Sequence, residues 1–243
     1  MEVISFMRDE NWIIETNRQI AADIYEMKLT GGTRGITAPG QFINILLENK
    51  FLRRPLSIAD CSREGITLVY RVVGEGTEIL KEMKPGGGLK AMCPLGNGYN
   101  LEKIPSDAVL AGGGMGAAPI YFLAKKLALE GKAPKVILGF KNEEEIFFRE
   151  EFEKLGLDLK IKTGGILTDC IETGSYVCAC GPLPMMKAAF NKAADGQFSF
   201  EERMGCGFGS CMGCVCKSIT GEKRICKDGP VFCKEEILWQ IQE

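Results

Sequence analysis

Five of the eleven cysteines lie in one stretch near the end of the 243-residue chain, CGFGSCMGCVCKSITGEKRIC. Cys206, Cys211 and Cys214 have the spacing C-x4-C-x2-C, and Cys226 follows after eleven residues. Thiolates with this plant-type spacing ligate a [2Fe-2S] cluster. The small residues between them would let backbone N-H groups come close to the inorganic sulfides. The spacing therefore predicts these four cysteines as the ligands of a two-iron cluster.

Structural zinc, disulfides and a redox switch are the alternatives for this cysteine-rich stretch. Four thiolates also satisfy zinc, and the chain has no histidine. Zinc sites usually combine two C-x2-C pairs, however, and only Cys211 and Cys214 form one here. Stable disulfides are disfavoured in a reducing compartment. Six of the other cysteines are predicted to be small buried apolar residues: Cys61, Cys93, Cys170, Cys178, Cys216 and Cys233.

Composition and charge exclude several kinds of partner. Lys and Arg total 30 against 32 Asp and Glu, so the chain has no positive field for a phosphate backbone. The N-terminal MEVISFMRDENW carries charges and lacks the apolar region of an export signal. The longest uncharged run, residues 108–124, contains four glycines and Pro119, which makes a poor membrane span. We therefore expect a cytoplasmic protein that binds neither nucleic acid nor membrane.

The middle of the chain alternates between strand and helix patterns. From Val109, an apolar strand leads through a glycine turn into an amphipathic helix that ends at Gly131. Further strands are predicted at PKVILGF, DLKIKTGG and SYVCACGP, and further helices at EEEIFFREEFEKLG and LPMMKAAFNKAAD. This alternation predicts a parallel, doubly wound sheet.

Two glycine loops of this predicted sheet could hold a dinucleotide. Gly112, Gly114 and Ala117 fit G-x-G-x-x-A, whose glycines bring backbone close to a pyrophosphate. The second loop follows Cys180 and would lie at the same edge of the sheet. Tight packing is the alternative, because the acidic residue expected after the second strand is missing and Lys141 stands there instead.

The first hundred residues have a different pattern, with alternating strands separated by Gly, Pro and Asn turns, which predicts a small antiparallel barrel. Within it, RRPLSI supplies an arginine, and VGEGTEIL is a glycine turn that leads into a short helix starting near Thr77. An arginine beside the N-terminus of a helix suits an anionic pyrophosphate, although both segments could be ordinary barrel turns.

The order of these motifs resembles one family. The segments RRPLSI, VGEGT, PLGNGY, GGGMGAAP, CGPLPMM and CGFGSCMGCVC, followed by RICKDGPVF, occur as in the electron-transfer subunits of dihydroorotate dehydrogenase B, which are ferredoxin reductase-like flavoproteins. The resemblance covers essentially the whole chain. It implies an FAD-binding β barrel over residues 1–100, a doubly wound parallel NAD-binding α/β domain over 101–198 and a small [2Fe-2S] module over 199–243.

The resemblance also implies which residues contact the two nucleotides. Leu56 occupies a position that is aromatic in many relatives, so a flavin ring would rest on an aliphatic side chain. The residues implied for FAD are Arg54, Pro55, Leu56, Ser57, Tyr70, Arg71, Gly74, Gly76 and Thr77. The residues implied for NAD are Gly112, Gly114, Gly116, Ala117, Cys180 and Gly181. No catalytic acid or base is predicted, because the cofactors supply the redox chemistry.

The implied function is electron transfer within a complex. The family passes electrons from the FMN of a dihydroorotate dehydrogenase catalytic subunit through the [2Fe-2S] cluster and FAD to NAD+, in a heterotetramer of two of each subunit. We expect this chain alone not to oxidise dihydroorotate. One alternative is the reductase subunit of another complex, of ferredoxin:NADP or sulfide-related type, although those relatives tend to have aspartate in place of Cys206. The other is a non-enzymatic cysteine redox sensor.

Overall fold

The computed structural model describes residues 8–239. The first half of this range forms a closed antiparallel barrel with the strand order β1-β2-β5-β4-β3-β6. Its elements are β1 (Arg8–Ala21), β2 (Ile24–Thr30), β3 (Phe42–Ile45), β4 (Arg54–Cys61), β5 (Gly65–Arg71), α1 (Glu75–Glu82) and β6 (Gly88–Leu95). The predicted barrel is confirmed.

Alternation of side chains along the strands builds the core of the barrel. On β5, Ile66, Leu68 and Tyr70 follow one another at every second position and are all buried. Trp12 and Ile14 do the same on β1. A period of two places such residues on one face of a strand, here the inside of the barrel.

The second half forms a six-stranded sheet with the order β14-β11-β10-β7-β8-β9. The strands β7 to β11 run parallel, as the alternation of strands and helices predicts. Their helices include α2, which ends just before Gly131 as expected. The elements are β7 (Val109–Gly113), α2 (Ala117–Leu129), β8 (Lys135–Phe140), α3 (Arg149–Glu153), β9 (Leu159–Thr163), β10 (Tyr176–Cys180), α4 (Leu183–Lys192) and β11 (Asp195–Ser199).

The single helix predicted for EEEIFFREEFEKLG is wrong. The segment forms a 3-10 turn over Glu143–Glu145 and the short α3, with an interruption between them. Phe147 and Phe148 are both buried and pack edge to face, and Phe148 has a left-handed φ of 60°. A left-handed residue cannot continue a right-handed helix, so the helix is interrupted at Phe148.

The segment after β11 returns to the same sheet. It forms a hairpin of β12 (Val215–Ser218) and β13 (Gly221–Arg224), the short α5 (Ile225–Asp228), and β14 (Val231–Cys233). β14 pairs antiparallel with β11, with Phe232 opposite Phe198. The cysteine-rich segment is thus built onto the edge of the sheet. The predicted division of the chain at residues 100 and 198 stays a prediction.

The barrel and the sheet share apolar packing. Phe122 of α2 packs into the core of the barrel, while Ile24 and Val69 of the barrel pack with the core of the sheet. An ion pair between Lys125 and Asp60, 2.5 Å apart, also joins the two. Within residues 8–239, no helix is both long and apolar enough to cross a lipid bilayer.

Candidate cofactor sites

A cleft of about 380 Å³, called here the flavin cleft, lies between the barrel, the sheet and the segment after β11. The adjacent strands β4 and β5 supply most of its barrel wall, because RRPLSI and the end of ITLVYR are neighbours in the barrel. The residues predicted for FAD that line it are Arg54, Pro55, Leu56, Ser57, Tyr70, Arg71 and Thr77. The structure therefore brings these predicted residues together on one wall.

The start of α1 forms an anion cradle beside this wall. The helix begins at Glu75, two residues before the predicted start, and Gly74 is its N-cap. The Thr77 hydroxyl accepts hydrogen bonds from the N-H groups of Val73 and Gly74 at 2.9 and 3.2 Å, which fixes the turn. A Cβ on Gly76 would overlap the Arg54 guanidinium, so glycine is needed for the arginine to lie against the helix start. A guanidinium and a helix N-terminus together suit a pyrophosphate.

Tyr70 and Arg71 line the cleft and also have protein partners. The Tyr70 hydroxyl donates to Asn17 Oδ1 at 2.9 Å, and burial raises the pKa of this phenol well above its usual range. Arg71 forms a two-pronged ion pair with Glu145 of the sheet domain, at 2.6 and 3.0 Å. The hydrogen bonds from Arg71 lower the pKa of the Glu145 carboxyl. This pair joins the wall of the cleft to the sheet domain.

The two predicted glycine loops meet at the carboxyl edge of the sheet. Gly113 lies against Gly181, whose Cβ position is 3.0 Å from the Gly113 backbone. Gly116 packs directly on the carbonyl of Cys180, which leaves no room for a side chain. Met115 of the first loop also lines the flavin cleft. The predicted loops thus face one crevice that continues into the cleft.

Glycine is needed for a different physical reason at each position of the first loop. A Cβ on Gly112 would lie 2.9 Å from the Ala117 Cα, so Gly112 is required by strand-helix packing. Gly114 has a φ of 52° and open space around it, which leaves its backbone accessible. The Cys180 side chain is buried, and burial raises the pKa of its thiol. The assignment of Gly112, Gly114, Gly116, Ala117, Cys180 and Gly181 to NAD stays a prediction.

An acidic residue does stand near this edge, although the sequence pattern did not find it. Glu143 follows β8 by three residues, and its Oε1 accepts a hydrogen bond from the Thr163 hydroxyl at 2.9 Å. Thr163 is the last residue of β9, so Glu143 lies where the ends of β8 and β9 meet. Glu143 lies two residues beyond Lys141 in the sequence, so a search that extended slightly further past the end of the strand would have found it.

One wall of the flavin cleft comes from the segment that follows β11. Sequence patterns missed this wall, because β11 itself carries no strand signature. Once β11 is placed in the parallel sheet, its carboxyl end must deliver the next residues to the crevice. The lining residues from this segment are Ser199, Phe200, Glu201, Glu202, Met204 and Pro230.

The four predicted cluster ligands form two pairs. Cys206 and Cys211, the outer pair, lie on the irregular residues 201–214, called here the cluster loop. The N-H groups of Phe208, Ser210 and Cys211 donate to Cys206 Sγ at 3.5, 3.2 and 3.4 Å. The N-H groups of Cys206 and Gly213 each donate to Cys211 Sγ at 3.4 Å. Backbone donors aimed at sulfur are what a thiolate-ligated cluster requires.

Cys214 and Cys226, the inner pair, are buried. The N-H of Cys226 donates to Cys214 Sγ at 3.4 Å. Both pack with Phe42, Ile225 and Phe232 in one apolar cluster, and Phe42 also lines the flavin cleft. The inner pair therefore shares its packing with the cleft, whereas Cys211 of the outer pair is exposed.

Cys206 of the outer pair and Cys226 of the inner pair differ in their acidity. Burial alone would raise the pKa of the Cys206 thiol, but hydrogen bonds from the backbone and from Cys211 lower it to about 6. Burial, with the adjacent Cys214 thiol, raises the pKa of Cys226 to about 12. A bound metal cation deprotonates such thiols outright. Backbone hydrogen bonds thus favour the thiolate of Cys206, while the thiolate of Cys226 would depend on the charge of a metal.

Glycines and an arginine hold the cluster loop in place. Gly207 and Gly209 have positive φ of 81° and 86°, and Gly209 packs on the Lys227 side chain. Arg224 donates to the Gly209 carbonyl at 3.1 Å while paired with Asp228. These glycines serve contacts inside the protein as well as the approach to sulfur predicted from sequence. Within residues 8–239, no three or more Cys, Asp or Glu residues converge on a single metal position.

The remaining cysteines follow the prediction of burial only in part. Cys93 and Cys178 are buried, as expected of small apolar residues. The other predicted members of this group, Cys61, Cys170, Cys216 and Cys233, are only half-buried. Cys61 and Cys233 are the last residues of β4 and β14, Cys170 ends a 3-10 helix and Cys216 lies in the β12-β13 hairpin, and all four thiols are only partly covered.

A closed antiparallel barrel joined to a doubly wound sheet, with a cleft between them, defines the class of ferredoxin reductase-like proteins. The fold is similar to that of an NADH-dependent reduced ferredoxin-NADP oxidoreductase, with a TM-score of 0.83 and 28% identity over 94% of this chain and 90% of that one. It is also similar to phthalate dioxygenase reductase, with a TM-score of 0.63 and 20% identity over 79% and 69% of the chains.

Sequence relatives narrow this class to one family. Residues 201–238 match the family described as the iron-sulfur cluster binding domain of dihydroorotate dehydrogenase B. The electron transfer subunits of dihydroorotate dehydrogenase B (NAD+) from Fusobacterium nucleatum and Bacillus pumilus are each 38% identical to this chain. The alignments cover 95% and 92% of this chain and 99% and 96% of the relatives. The chain belongs to the family of dihydroorotate dehydrogenase B electron-transfer subunits, and the resemblance predicted from its motifs is confirmed.

Proposed function

We propose that this protein is the electron-transfer subunit of an NAD+-dependent dihydroorotate dehydrogenase in pyrimidine biosynthesis. It transfers electrons from the FMN of a catalytic subunit through a [2Fe-2S] cluster and FAD to NAD+. The observation that carries the proposal is the arrangement of two cysteine pairs beside the flavin cleft, with the inner pair packed on Phe42 of the cleft wall. Family membership over nearly the whole chain supports it.

Residues of the flavin cleft fit an FAD. Arg54 and the first turn of α1 hold the pyrophosphate, while Pro55, Leu56 and Ser57 border the ring system along β4. A flavin accepts electrons singly or as a pair, and this property links one-electron and two-electron carriers. The apolar residues of the cleft keep water from that site, and the Ser57 hydroxyl is the polar group that β4 offers to the ring.

The four cysteines fit a [2Fe-2S] cluster, which carries one electron at a time. Cys206 and Cys211 supply one pair of thiolates and Cys214 and Cys226 the other. Backbone N-H groups directed at the sulfurs stabilise negative charge on the outer pair. The apolar surroundings of the inner pair exclude water and keep that side of the site next to the cleft wall.

The glycine loops and Glu143 fit NAD. Gly114 presents accessible backbone at the start of α2, where a pyrophosphate gains from the helix dipole. A carboxylate near the end of the second strand accepts hydrogen bonds from a ribose diol and repels a 2'-phosphate. We propose Glu143, which also pairs with Arg149 at 3.4 Å, for that role, which would favour NAD over NADP.

The outer pair marks the side on which a catalytic subunit would dock. Cys211 is exposed, and the apolar side chains of Phe208 and Met212 beside it are 39% and 50% exposed. We propose that the partner is the FMN-containing catalytic subunit, in a heterotetramer of two of each chain located in the cytoplasm. We also propose that residues 1–100, 101–198 and 199–243 carry the FAD, the NAD and the cluster, respectively.

One experiment tests the proposal. NAD+ reduction by dihydroorotate is followed with this chain alone, with the candidate catalytic subunit alone, and with both together. The recognised motifs occupy the whole chain and leave no separate substrate site, so we expect activity only from the mixture. Activity of this chain alone would contradict the division of labour. A purified chain with neither flavin nor iron and labile sulfide would contradict the proposed function itself.

A further inference from the structure

A buried asparagine of the barrel lies between the flavin cleft and the cluster loop. Asn44 is on β3 and only 1% exposed. Its Nδ2 donates to the Cys206 carbonyl at 3.2 Å, across 162 residues of sequence. Its Oδ1 is buried and has no hydrogen-bond partner in the described part of the chain. Because leaving a buried amide oxygen without a partner is destabilising, an apolar residue here would favour the barrel alone.

Asn44 also packs against the next residue of the loop. A Cβ on Gly207 would overlap the Asn44 side-chain amide. Gly207 is buried and has a φ of 81°, so the loop turns away directly after this contact. The Asn44 amide thus holds the loop at two consecutive residues, by a hydrogen bond to Cys206 and by close packing on Gly207.

On its other side, Asn44 is part of the strand pair that forms the cleft wall. It lies opposite Pro55 in the pairing of β3 with β4, and Pro55 lines the flavin cleft. The Asn44 carbonyl accepts a hydrogen bond from Arg53 at 3.4 Å, and Arg53 is paired with Asp9 at 2.7 Å. One residue therefore connects the wall of the cleft to the outer cysteine pair.

We propose that Asn44 is a positioning residue that holds the outer cysteine pair against the strand next to the flavin. It acts through the Cys206 backbone and makes no contact with a reacting atom. The inference rests on the proposed function, since it requires that the four cysteines ligate a cluster. Residues that orient metal ligands commonly change metal affinity or activity about 10–100-fold when they are replaced.

Asn44→Asp is the direct test, because it keeps the size of the side chain and removes the N-H donor to Cys206. The matched control is Gln41→Glu in the same barrel. Gln41 is 4% exposed and likewise donates to one backbone carbonyl, that of Gly96, at 3.2 Å. Both variants therefore replace a buried amide by a carboxyl and lose one hydrogen bond to the backbone.

The measurements are made on the full chain purified anaerobically. They are the rate at which a chelator bleaches the cluster, the electron paramagnetic resonance spectrum after reduction, and the flavin content. Asn44→Asp should bleach about 10-fold faster and give an altered spectrum, with flavin content unchanged. Gln41→Glu should match the wild type. Equal effects of the two variants, or no effect of Asn44→Asp on bleaching and spectrum, would overturn the inference.

A second set of variants keeps the test decisive if Asn44→Asp does not fold. Asn44→Ala and Gly207→Ala are compared singly and together. The methyl group added at Gly207 fits better once the Asn44 amide is gone, so the double variant should bleach more slowly than the two single effects predict. Independent effects of the two changes would overturn the inference. A wild-type chain without the iron-sulfur absorption would overturn the proposed function as well.

Discussion

The flavin cleft and the cluster loop lie side by side but are built in different ways. Regular strands and the start of α1 form the barrel wall of the cleft, and its residues are held by barrel pairing and core packing. The cluster loop has no regular structure, and its N-H groups are directed at sulfur atoms. The cleft is therefore formed by pairing of regular elements, whereas the loop is held by hydrogen bonds from its backbone to its own cysteine sulfurs.

The largest expected effect is the loss of the cluster with the cleft left intact. Cys214→Ser removes one thiolate of the inner pair, and serine is a poor ligand for iron. We expect loss of the iron and labile sulfide while FAD per chain stays at the wild-type level. Chemical analysis of iron, sulfide and flavin in the purified protein measures both.

Cys216→Ser is the control for this change, because Cys216 lies two residues away and is half-buried. It should keep both cofactors. Loss of FAD in Cys214→Ser would show that the cleft depends on the cluster loop, and loss of the cluster in Cys216→Ser would show that the wrong cysteine was assigned.

The opposite change should empty the cleft and leave the loop intact. Arg54→Ala removes the guanidinium beside the start of α1, and a charged hydrogen bond contributes about 1.5–3 kcal/mol. We expect FAD to bind at least roughly tenfold more weakly, since 1.4 kcal/mol corresponds to a factor of ten. Titration of the flavin-free protein with FAD measures the affinity. The cluster absorption should not change.

Arg53→Ala is the control, because it removes the same positive charge from the neighbouring residue. Arg53 is paired with Asp9 on the barrel and does not line the cleft. The variant should bind FAD as the wild type does. Equal weakening by both variants would mean that net positive charge, and not the cradle at α1, retains the flavin.

The ion pair between Arg71 and Glu145, which joins the cleft wall to the sheet, should stabilise the fold less at acidic pH. Arg71 lowers the pKa of Glu145 in the folded state, mainly through its hydrogen bonds. This stabilisation is present above the ordinary glutamate pKa of 4.5 and is lost as the pH falls through the lowered folded value. Glu145→Gln should therefore cost about 2 kcal/mol at pH 7 and progressively less below pH 4.5.

Urea unfolding of the wild type and Glu145→Gln across this pH range measures the difference. Glu144→Gln is the control, because Glu144 is exposed and adjacent in sequence. A difference between Glu145→Gln and the wild type that is independent of pH would contradict the ion-pair explanation.

The smallest expected effect concerns the choice of nucleotide at the far edge of the sheet. Glu143→Gln removes a negative charge beside Thr163 and should weaken discrimination against NADPH by about 1 kcal/mol, or roughly fivefold. The dissociation constants of NADH and NADPH for the FAD-loaded protein give the ratio. Glu150→Gln, an exposed carboxylate on α3, is the control. An unchanged ratio would remove Glu143 from the account of specificity.

The sequence alone was sufficient to predict those parts of the fold and the site that depend on local residue patterns. Period-two strands predicted the barrel, and the glycine turn before an amphipathic helix predicted β7 and α2. The family resemblance implied that RRPLSI and the start of α1 contact the same cofactor. The structure brings residues of both segments together on one wall of the cleft. The cysteine spacing predicted four residues that the structure brings together in two pairs.

The features that could not be predicted from the sequence depend on tertiary packing. The predicted helix after β8 is interrupted at Phe148, which adopts a left-handed φ while its ring packs in the core beside Phe147. β11 and β14 were not predicted, since a short strand that pairs across 30 or more residues has little local signature. The contact between Asn44 and Cys206 follows only from the way the barrel meets the cluster loop. No spacing rule connects residues so far apart in sequence.

The pairing of β14 with β11 limits how this protein can be rearranged. A chain cut after residue 200 would lose the strand that covers β11 and would leave Phe198 at an open edge, where such strands recruit other molecules. The segment after residue 200 is therefore not an independent module that can be moved to another protein, although its cysteine motif is contiguous in sequence. A chimaera that exchanges iron-sulfur segments between reductases should take its junction upstream of β11, so that β11 and its partner β14 come from the same parent.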